Sequence, residues 1–419
     1  MASVAAGSIE FYDFAIYGTA AALVFNTHFF PSDVPTVGQL LSFATFAVGF
    51  AGRPLGAVIF GHYGDKYGRK PALIAAMVLM GASSVAIGLL PTYEVVGISA
   101  PILLVLLRVC QGIAFGGQWG GSTLLSFENA PPDRRGLFGA MSQMGNFFGM
   151  VAGTLVFLLL TNVMSDHQFL LWGWRLPFLL TVVTFFVVLY IHKQIDETSE
   201  FDAGAAGPEE SPAEEAKVAR AESAVIQVIR RPKQMILVIL CFVSAALTFY
   251  VIATGMLDYA TRELGVPRSE VLAITMLAMI PWLIGTVGFG WLSDVVGRRP
   301  VYIGGAIFSA LWAFALFPLV ETQNFWLMLM ACGVGQFGAT AMSGPAVALF
   351  MEMFPPSKRY SGASMGYQIA NVLGGGLAPF TMVALLNATG TTMSVSIYVA
   401  VAAALCIIPV ALTRPDPSA

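Results

Sequence analysis

The side chains of this chain that could do chemistry are ionisable groups set inside long apolar segments. Residues 3–25 hold Glu10 and Asp13, three apart, with Tyr17 four further on, which puts all three on one helix face. An ionised group at mid-membrane costs about 2.5–3.5 kcal/mol on insertion scales, so one that persists has a partner or a function. Burial favours the neutral carboxyl and a nearby arginine favours the carboxylate; a group balanced between the two can exchange protons. Asp13 is the first candidate for that exchange, the alternative being permanent pairing with an arginine. Glu10, nearer the segment's start, either shares the role or contacts water and backbone.

Arg108, Gln111, Phe115, Gln118 and Ser122 follow at spacings of three and four, a polar stripe down one face of a segment over 101–128. Arg108 keeps its charge, and its planar fork matches a carboxylate. It either binds a substrate carboxylate or pairs with Asp13 until protonation releases it. Arg53, just before Pro54, either reads substrate or pairs with a carboxylate of a neighbouring segment. Gln143 and Asn146, three apart, suit hydroxyl recognition or polar packing between helices. Tyr250, Thr254 and Asp258 share a face further on, as do Tyr367 and Asn371, with Gln368 beside them. The C-terminal half lacks a mid-span carboxylate or arginine comparable to Asp13 and Arg108. Charge handling is therefore expected in the first half, and shape and hydrogen bonding in the second.

These residues are carried by a chain of 419 residues, 57% hydrophobic and only 11% charged, against about 25% charged in soluble domains. Apolar runs of membrane-crossing length fall at about 3–25, 38–61, 71–91, 101–128, 136–162, 172–192, 234–257, 270–292, 300–319, 325–352, 361–387 and 392–412. Alternating the connections places most of the 21 Lys and Arg on one side, including Lys66, Arg69, Arg134, Arg298, Arg299 and Lys358. By the positive-inside rule that side, with both termini, is cytoplasmic. No cleavable signal peptide is expected, because Glu10 and Asp13 interrupt the first apolar segment and no Lys or Arg precedes it. The formal net charge of −3 is concentrated in one linker, and nucleic acid is not an expected partner. The four cysteines lie inside apolar runs without pair spacing and read as packing thiols. No phosphate-binding loop, metal-ligand spacing or nucleophile–base set is present, so neither an enzyme nor a cofactor is expected.

The chain is also duplicated. Gly61-His62-Tyr63-Gly64-Asp65-Lys66-Tyr67-Gly68-Arg69-Lys70-Pro71 returns as Gly290-Trp291-Leu292-Ser293-Asp294-Val295-Val296-Gly297-Arg298-Arg299-Pro300, 229 residues on. Glu128-Asn129-Ala130-Pro131-Pro132-Asp133-Arg134-Arg135 has its echo at Glu352-Met353-Phe354-Pro355-Pro356-Ser357-Lys358-Arg359, 224 residues on. The division that follows is an N-terminal six-helix bundle (1–192), a cytoplasmic linker (193–233) rich in Glu, Ala, Gly and Pro, and a C-terminal six-helix bundle (234–419). Gly61 to Pro71 and its echo read as short basic loops in which Asp65 pairs with Arg69 or caps the next helix. Glu128 and Glu352 are expected to pair with Arg69 and Arg298, so that Gly61, Gly64, Asp65, Gly68, Arg69, Glu128, Asp294, Arg298 and Glu352 make a cytoplasmic gate.

The repeated loops resemble the signature of the major facilitator superfamily, and Leu107-Arg108-Val109-Cys110-Gln111-Gly112 resembles its fourth-helix motif. Glu10-Phe11-Tyr12-Asp13, Arg53-Pro54-Leu55-Gly56, Gly116-Gly117-Gln118-Trp119-Gly120-Gly121 and Trp172-Gly173-Trp174-Arg175 narrow the resemblance to the metabolite:proton symporter family. Its members carry shikimate, 2-oxoglutarate, citrate or zwitterionic osmolytes. The resemblance implies an all-α membrane fold of twelve helices in two bundles, in a bacterial inner membrane. It implies a monomeric secondary transporter whose partners are lipid, protons and a small organic anion. A hydroxylated monocarboxylate is the first expectation, a dicarboxylate the second and a betaine-like osmolyte the third. The implied site is Asp13, Glu10 and Arg108 for protons, and Arg53, Arg108, Gln111, Gln118, Tyr17, Gln143, Asn146, Tyr250, Tyr367, Gln368 and Asn371 for substrate. Relatives commonly carry Glu where this chain has Gln118. An amide cannot exchange protons, so Asp13 must couple alone or the chain is a uniporter or exchanger. A transporter-derived sensor is the reading of a different class.

Overall fold

In lipid every backbone polar group must be satisfied within the chain, and helices do this segment by segment. The computed structural model describes residues 2–67, 69–116, 127, 130–183, 232–354 and 359–413; side chains at 2–6, 61–70, 73 and 359–361 lie outside that description. Among the described residues the main helical segments are, in order, α1 (Ala2–Ala20), α2 (Pro35–Tyr67), α3 (Arg69–Leu89), α4 (Ser99–Gly116), α5 (Arg135–Ser142, then Met144–Val163), α6 (Leu176–Leu180), α7 (Pro232–Tyr250), α8 (Arg268–Val296), α9 (Arg298–Glu321), α10 (Phe325–Met351), α11 (Arg359–Ala370) and α12 (Met393–Leu412). Each falls on one of the expected spans. Leu55, Val58, Leu106, Leu311, Leu405 and Ile408 are exposed, as side chains facing acyl tails would be. The linker from 193 lies outside the described residues up to Pro232.

Small residues let the backbones approach, which drives helix association in lipid. Between α2 and α4, a methyl on Gly52 would sit 3.0 Å from the Val109 carbonyl oxygen, and one on Gly116 would sit 2.7 Å from the Ala57 nitrogen. Gly149 and Gly153 do the same for α5 on α1, reaching within 2.6 Å of the Tyr12 nitrogen and 3.1 Å of its carbonyl oxygen. In the second half a methyl on Gly344 of α10 would sit 2.7 Å from the Thr286 carbonyl oxygen of α8. Across the halves α5 packs on α8 and α2 on α11.

Two features depart from the sequence reading. The Gly61–Pro71 stretch is not an open loop: α2 runs on through Tyr67 and α3 starts at Arg69. Its echo behaves alike, with α8 continuing to Val296 and a single corner at Gly297, whose φ of 103° suits glycine. Polar residues beyond the apolar run end a membrane span but do not end a helix. The side chains of Gly61, Gly64, Asp65 and Arg69, with Gly68, lie outside the described residues. The second departure is the π-helical turns Ala21–Phe25 after α1 and Val251–Gly255 after α7. They sit 230 residues apart, nearly the offset of the duplicated loops, so the repeat extends to a local irregularity. Further π turns are Tyr259–Glu263 and Asn371–Gly376, the latter interrupting the eleventh span before Ala378–Thr389.

Candidate functional site

The glycine-lined α2–α4 crossing decides where the charges lie. A methyl on Gly49 would stand 2.7 Å from Cζ of Arg108, so the guanidinium passes directly over the α2 backbone. Arg108 and Arg53 are each 1% exposed, and Glu10 and Asp13 are 4% and 3% exposed. Asp13 and Arg108 do not pair directly. Gln111 Nε2 donates to Asp13 Oδ2 at 2.7 Å, and its Oε1 accepts from Arg108 Nη1 at 3.0 Å. The amide therefore stands between carboxylate and guanidinium. Ser84, from α3, donates to Asp13 Oδ1, lies 3.0 Å from the Met80 carbonyl and accepts from Gln111 Nε2 at 2.7 Å.

Aromatic faces hold both guanidinium groups, an arrangement favourable to cations. Cζ of Arg53 lies 3.4 Å from the Phe115 ring centre, 4.1 Å from Phe50 and 4.3 Å from Phe14. Cζ of Arg108 lies 3.8 Å from Tyr17 and 4.6 Å from the same Phe14. Nε and Nη2 of both arginines are buried without a hydrogen-bond partner. Arg53 interacts electrostatically with the Tyr250 hydroxyl across the halves and with the Glu10 carboxylate. Tyr17 is thereby placed under Arg108, its hydroxyl donating to Thr45 Oγ1 at 2.7 Å.

A cavity of about 40 Å³ lies between the halves, lined by Phe11, Gln143 and Asn146 on one side and by Tyr250, Tyr367, Asn371, Ser343, Phe249 and Trp282 among others on the opposite side. Five of the expected substrate residues, Gln143, Asn146, Tyr250, Tyr367 and Asn371, meet there. Asp13, Arg108, Gln111 and Tyr17 do not border it, and the Phe14 ring packs against Arg108. Gln368 is buried with both amide atoms unpartnered, as is Gln336 on α10, which the sequence reading missed. Gln336 precedes the cavity-lining Ala339 and Ser343 by three and seven residues, one helix face. Gln118 and Glu128 lie outside the described residues. So small a cavity admits no organic acid.

On the basic-loop face, Asp294 accepts from the backbone nitrogens of Gly136 and Leu137, each at 2.8 Å, at the start of α5 in the other half. An anion at a helix N-terminus is favourable. Arg298 pairs with Asp294 and with Glu352, the latter at 3.2 Å. On the opposite face Thr36 donates to Asn387 at 2.9 Å, Arg268 pairs with Asp166 at 3.3 Å, and Gln39 donates to Asp258. Among the described residues no group of three His, Cys, Asp or Glu could hold a metal, and the four cysteines are free.

Duplicated halves of apolar helices with polar side chains buried between them are the architecture of a membrane transporter of the major facilitator fold. The profile described as "Sugar (and other) transporter" matches residues 1–413, and the chain belongs to that family. It is 38% identical over 400 residues to the shikimate transporter of Escherichia coli (strain K12), covering 95% of this chain and 90% of that one. It is likewise 38% identical over 428 residues to an inner membrane metabolite transport protein of the same strain, covering 99% and 93%. Among solved structures, the xylose transporter of E. coli in a partially occluded, inward-open conformation superposes with a TM-score of 0.73 at 20% identity, covering 98% of this chain and 95% of that one.

Proposed function

We propose that the chain is a monomeric secondary active transporter that imports a small organic acid together with protons by alternating access. The observation that carries this reading is the pair of buried arginines, each with two guanidinium nitrogens unpartnered, one joined to Asp13 through Gln111 and the other in electrostatic reach of the cavity-lining Tyr250. Glu10 and Asp13 balance the two arginines when ionised. Protonating Asp13 leaves one positive charge in excess, which an anion neutralises; charge at this depth is costly, so proton and anion favour each other's binding. Gln336, Gln368 and Ser343 are buried with side-chain atoms unpaired, at about 1–3 kcal/mol each, and suit a ligand bearing hydroxyls. The kinship with a shikimate transporter agrees with a hydroxylated monocarboxylate as first candidate, ahead of dicarboxylates. Thermal shifts of the purified protein across a panel of small carboxylates and zwitterions test the class. Hydroxylated monocarboxylates are expected to raise Tm more at pH 6 than at pH 8, and a response to zwitterions alone would refute the assignment.

The units are the 1–192 and 234–419 bundles joined by the 193–233 linker, with both termini and the α8–α9 corner cytoplasmic in a bacterial inner membrane. A cysteine placed at Arg134 is expected to react with impermeant maleimide only from inside sealed vesicles. Asp294, Arg298 and Glu352 form the described part of the cytoplasmic gate. Asp294→Asn removes the charge from the Asp294 bonds to Gly136 and Leu137, and charged hydrogen bonds contribute about 1.5–3 kcal/mol. Pulsed EPR between labels at Arg134 and Val296, both at the exposed cytoplasmic ends, should show an opened population increased about tenfold or more.

A further inference from the structure

One buried carboxylate has no part in the scheme above. Asp258 is 2% exposed and sits near the end of the seventh span, between the π turns Val251–Gly255 and Tyr259–Glu263. It accepts a hydrogen bond from Gln39 on α2, so the bond joins the two halves. Arg262, one turn on, approaches it at 3.5 Å and holds Glu263 at 2.9 Å. Arg262 and Glu263 are the charged groups that face Asp258; from the other half it meets the neutral Gln39. Exposure rises along this series, with side chains 3% accessible at Asp258, 26% at Arg262 and 46% at Glu263. A path from water to the buried carboxylate is thus marked by charged side chains.

We propose that Asp258 is a second proton-binding site, placed on the C-terminal half, which links protonation from the extracellular side to opening of that mouth. Ionised Asp258 attracts Gln39 through a charge-assisted bond, roughly twice as strong as a neutral one. Protonated Asp258 loses that assistance and its attraction to Arg262. A neutral carboxyl costs far less than a carboxylate when its partner leaves, so protonation lowers the cost of parting Gln39 from Asp258. The mouth is thereby loosened. The neighbouring contacts on this face, Thr36–Asn387 and Arg268–Asp166, are exposed, and the Gln39–Asp258 bond is the buried part of the closure. The π turns before and after Asp258 mark a segment where backbone hydrogen bonding is already shifted, as is frequent at functional sites.

The inference rests on the reading of the chain as a proton-coupled carrier, and its test separates the two. Spin labels at Thr36 and Asn387, in full-length protein with the four native cysteines replaced by alanine, report the width of the mouth by pulsed EPR. Lowering the pH from 8 to 5.5 is expected to raise the long-distance population several-fold. Asp258→Asn, which mimics the neutral carboxyl, should show the wide mouth at both pH values. Gln39→Leu cuts the same bond from the other half and should do likewise. Asp13→Asn should leave the pH response in place, so failure of coupling at Asp13 and failure of this inference give different results. A wild-type mouth indifferent to pH, or an Asp258→Asn protein that keeps the wild-type response, would overturn the proposal.

Discussion

Asp13→Asn is expected to reduce accumulation driven by an inward proton gradient to simple equilibration, while exchange of labelled for unlabelled substrate continues. Asparagine has nearly the shape of a neutral carboxyl. Its oxygen can still accept from Gln111 Nε2, now 2.7 Å from Asp13 Oδ2, and its amide can donate to Ser84 Oγ. Packing is preserved, and what disappears is the change of state. In the native protein, ionised Asp13 accepts from both Ser84 and Gln111. Once protonated, Asp13 can donate to Ser84, whose hydroxyl turns to the Met80 carbonyl 3.0 Å away. Gln111, no longer held by a full charge, is free to release Arg108 Nη1. Proton arrival at Asp13 thus becomes availability of a guanidinium. In the Asp13→Asn protein that step is absent, so the carrier binds and exchanges substrate but gains nothing from the gradient. Gradient-driven uptake and counterflow in the same proteoliposomes measure both halves of the prediction.

The second large effect is expected at the arginines. Arg53→Lys and Arg108→Lys should each weaken carboxylate binding by about 10- to 100-fold, corresponding to the roughly 1.5–3 kcal/mol of a charged hydrogen bond. Charge is conserved in these variants but geometry is not. The Arg53 guanidinium stands 3.4 Å from the Phe115 ring centre with Nε and Nη2 left for a ligand. An ammonium cannot stack flat and offers no two-pronged fit to a carboxylate. Titration of the purified proteins by calorimetry, with Tm unchanged as a check on folding, measures the loss. Affinity equal to wild type in both variants would remove the arginines from substrate recognition.

Much of this arrangement was legible in the residues. Spacings of three and four put Arg108 and Gln111 on one face, and the polar run at Glu10, Asp13 and Tyr17 on another, which is how they come to meet. The loop echo at Gly290 anticipated the twofold architecture, and Glu352 was expected beside an Arg298-type partner, which it meets at 3.2 Å. Other parts carried no signal. Ser84 lies in a run of small residues, Gly81-Ala82-Ser83-Ser84, where nothing distinguishes a ligand of Asp13 from a packing serine. The π turn at Val251–Gly255 alters backbone hydrogen bonds without changing the apolar pattern. Across it, Tyr250 lies in electrostatic reach of Arg53 and Asp258 bonds Gln39, with Arg53 and Gln39 both on α2. Phe249 and Trp282 line the cavity, yet aromatic residues in apolar spans read first as packing. Gln336 did carry a signal, a lone amide inside the apolar run of α10.

Central to the account is that a proton and an organic anion move together. The most direct measurement is the pH of a lightly buffered, de-energised suspension of right-side-out vesicles when the acid that binds best is added. Symport predicts a transient alkalinisation of the medium as protons enter with the anion, abolished by an ionophore and missing in Asp13→Asn. Entry of the labelled anion with no change in external pH would contradict it.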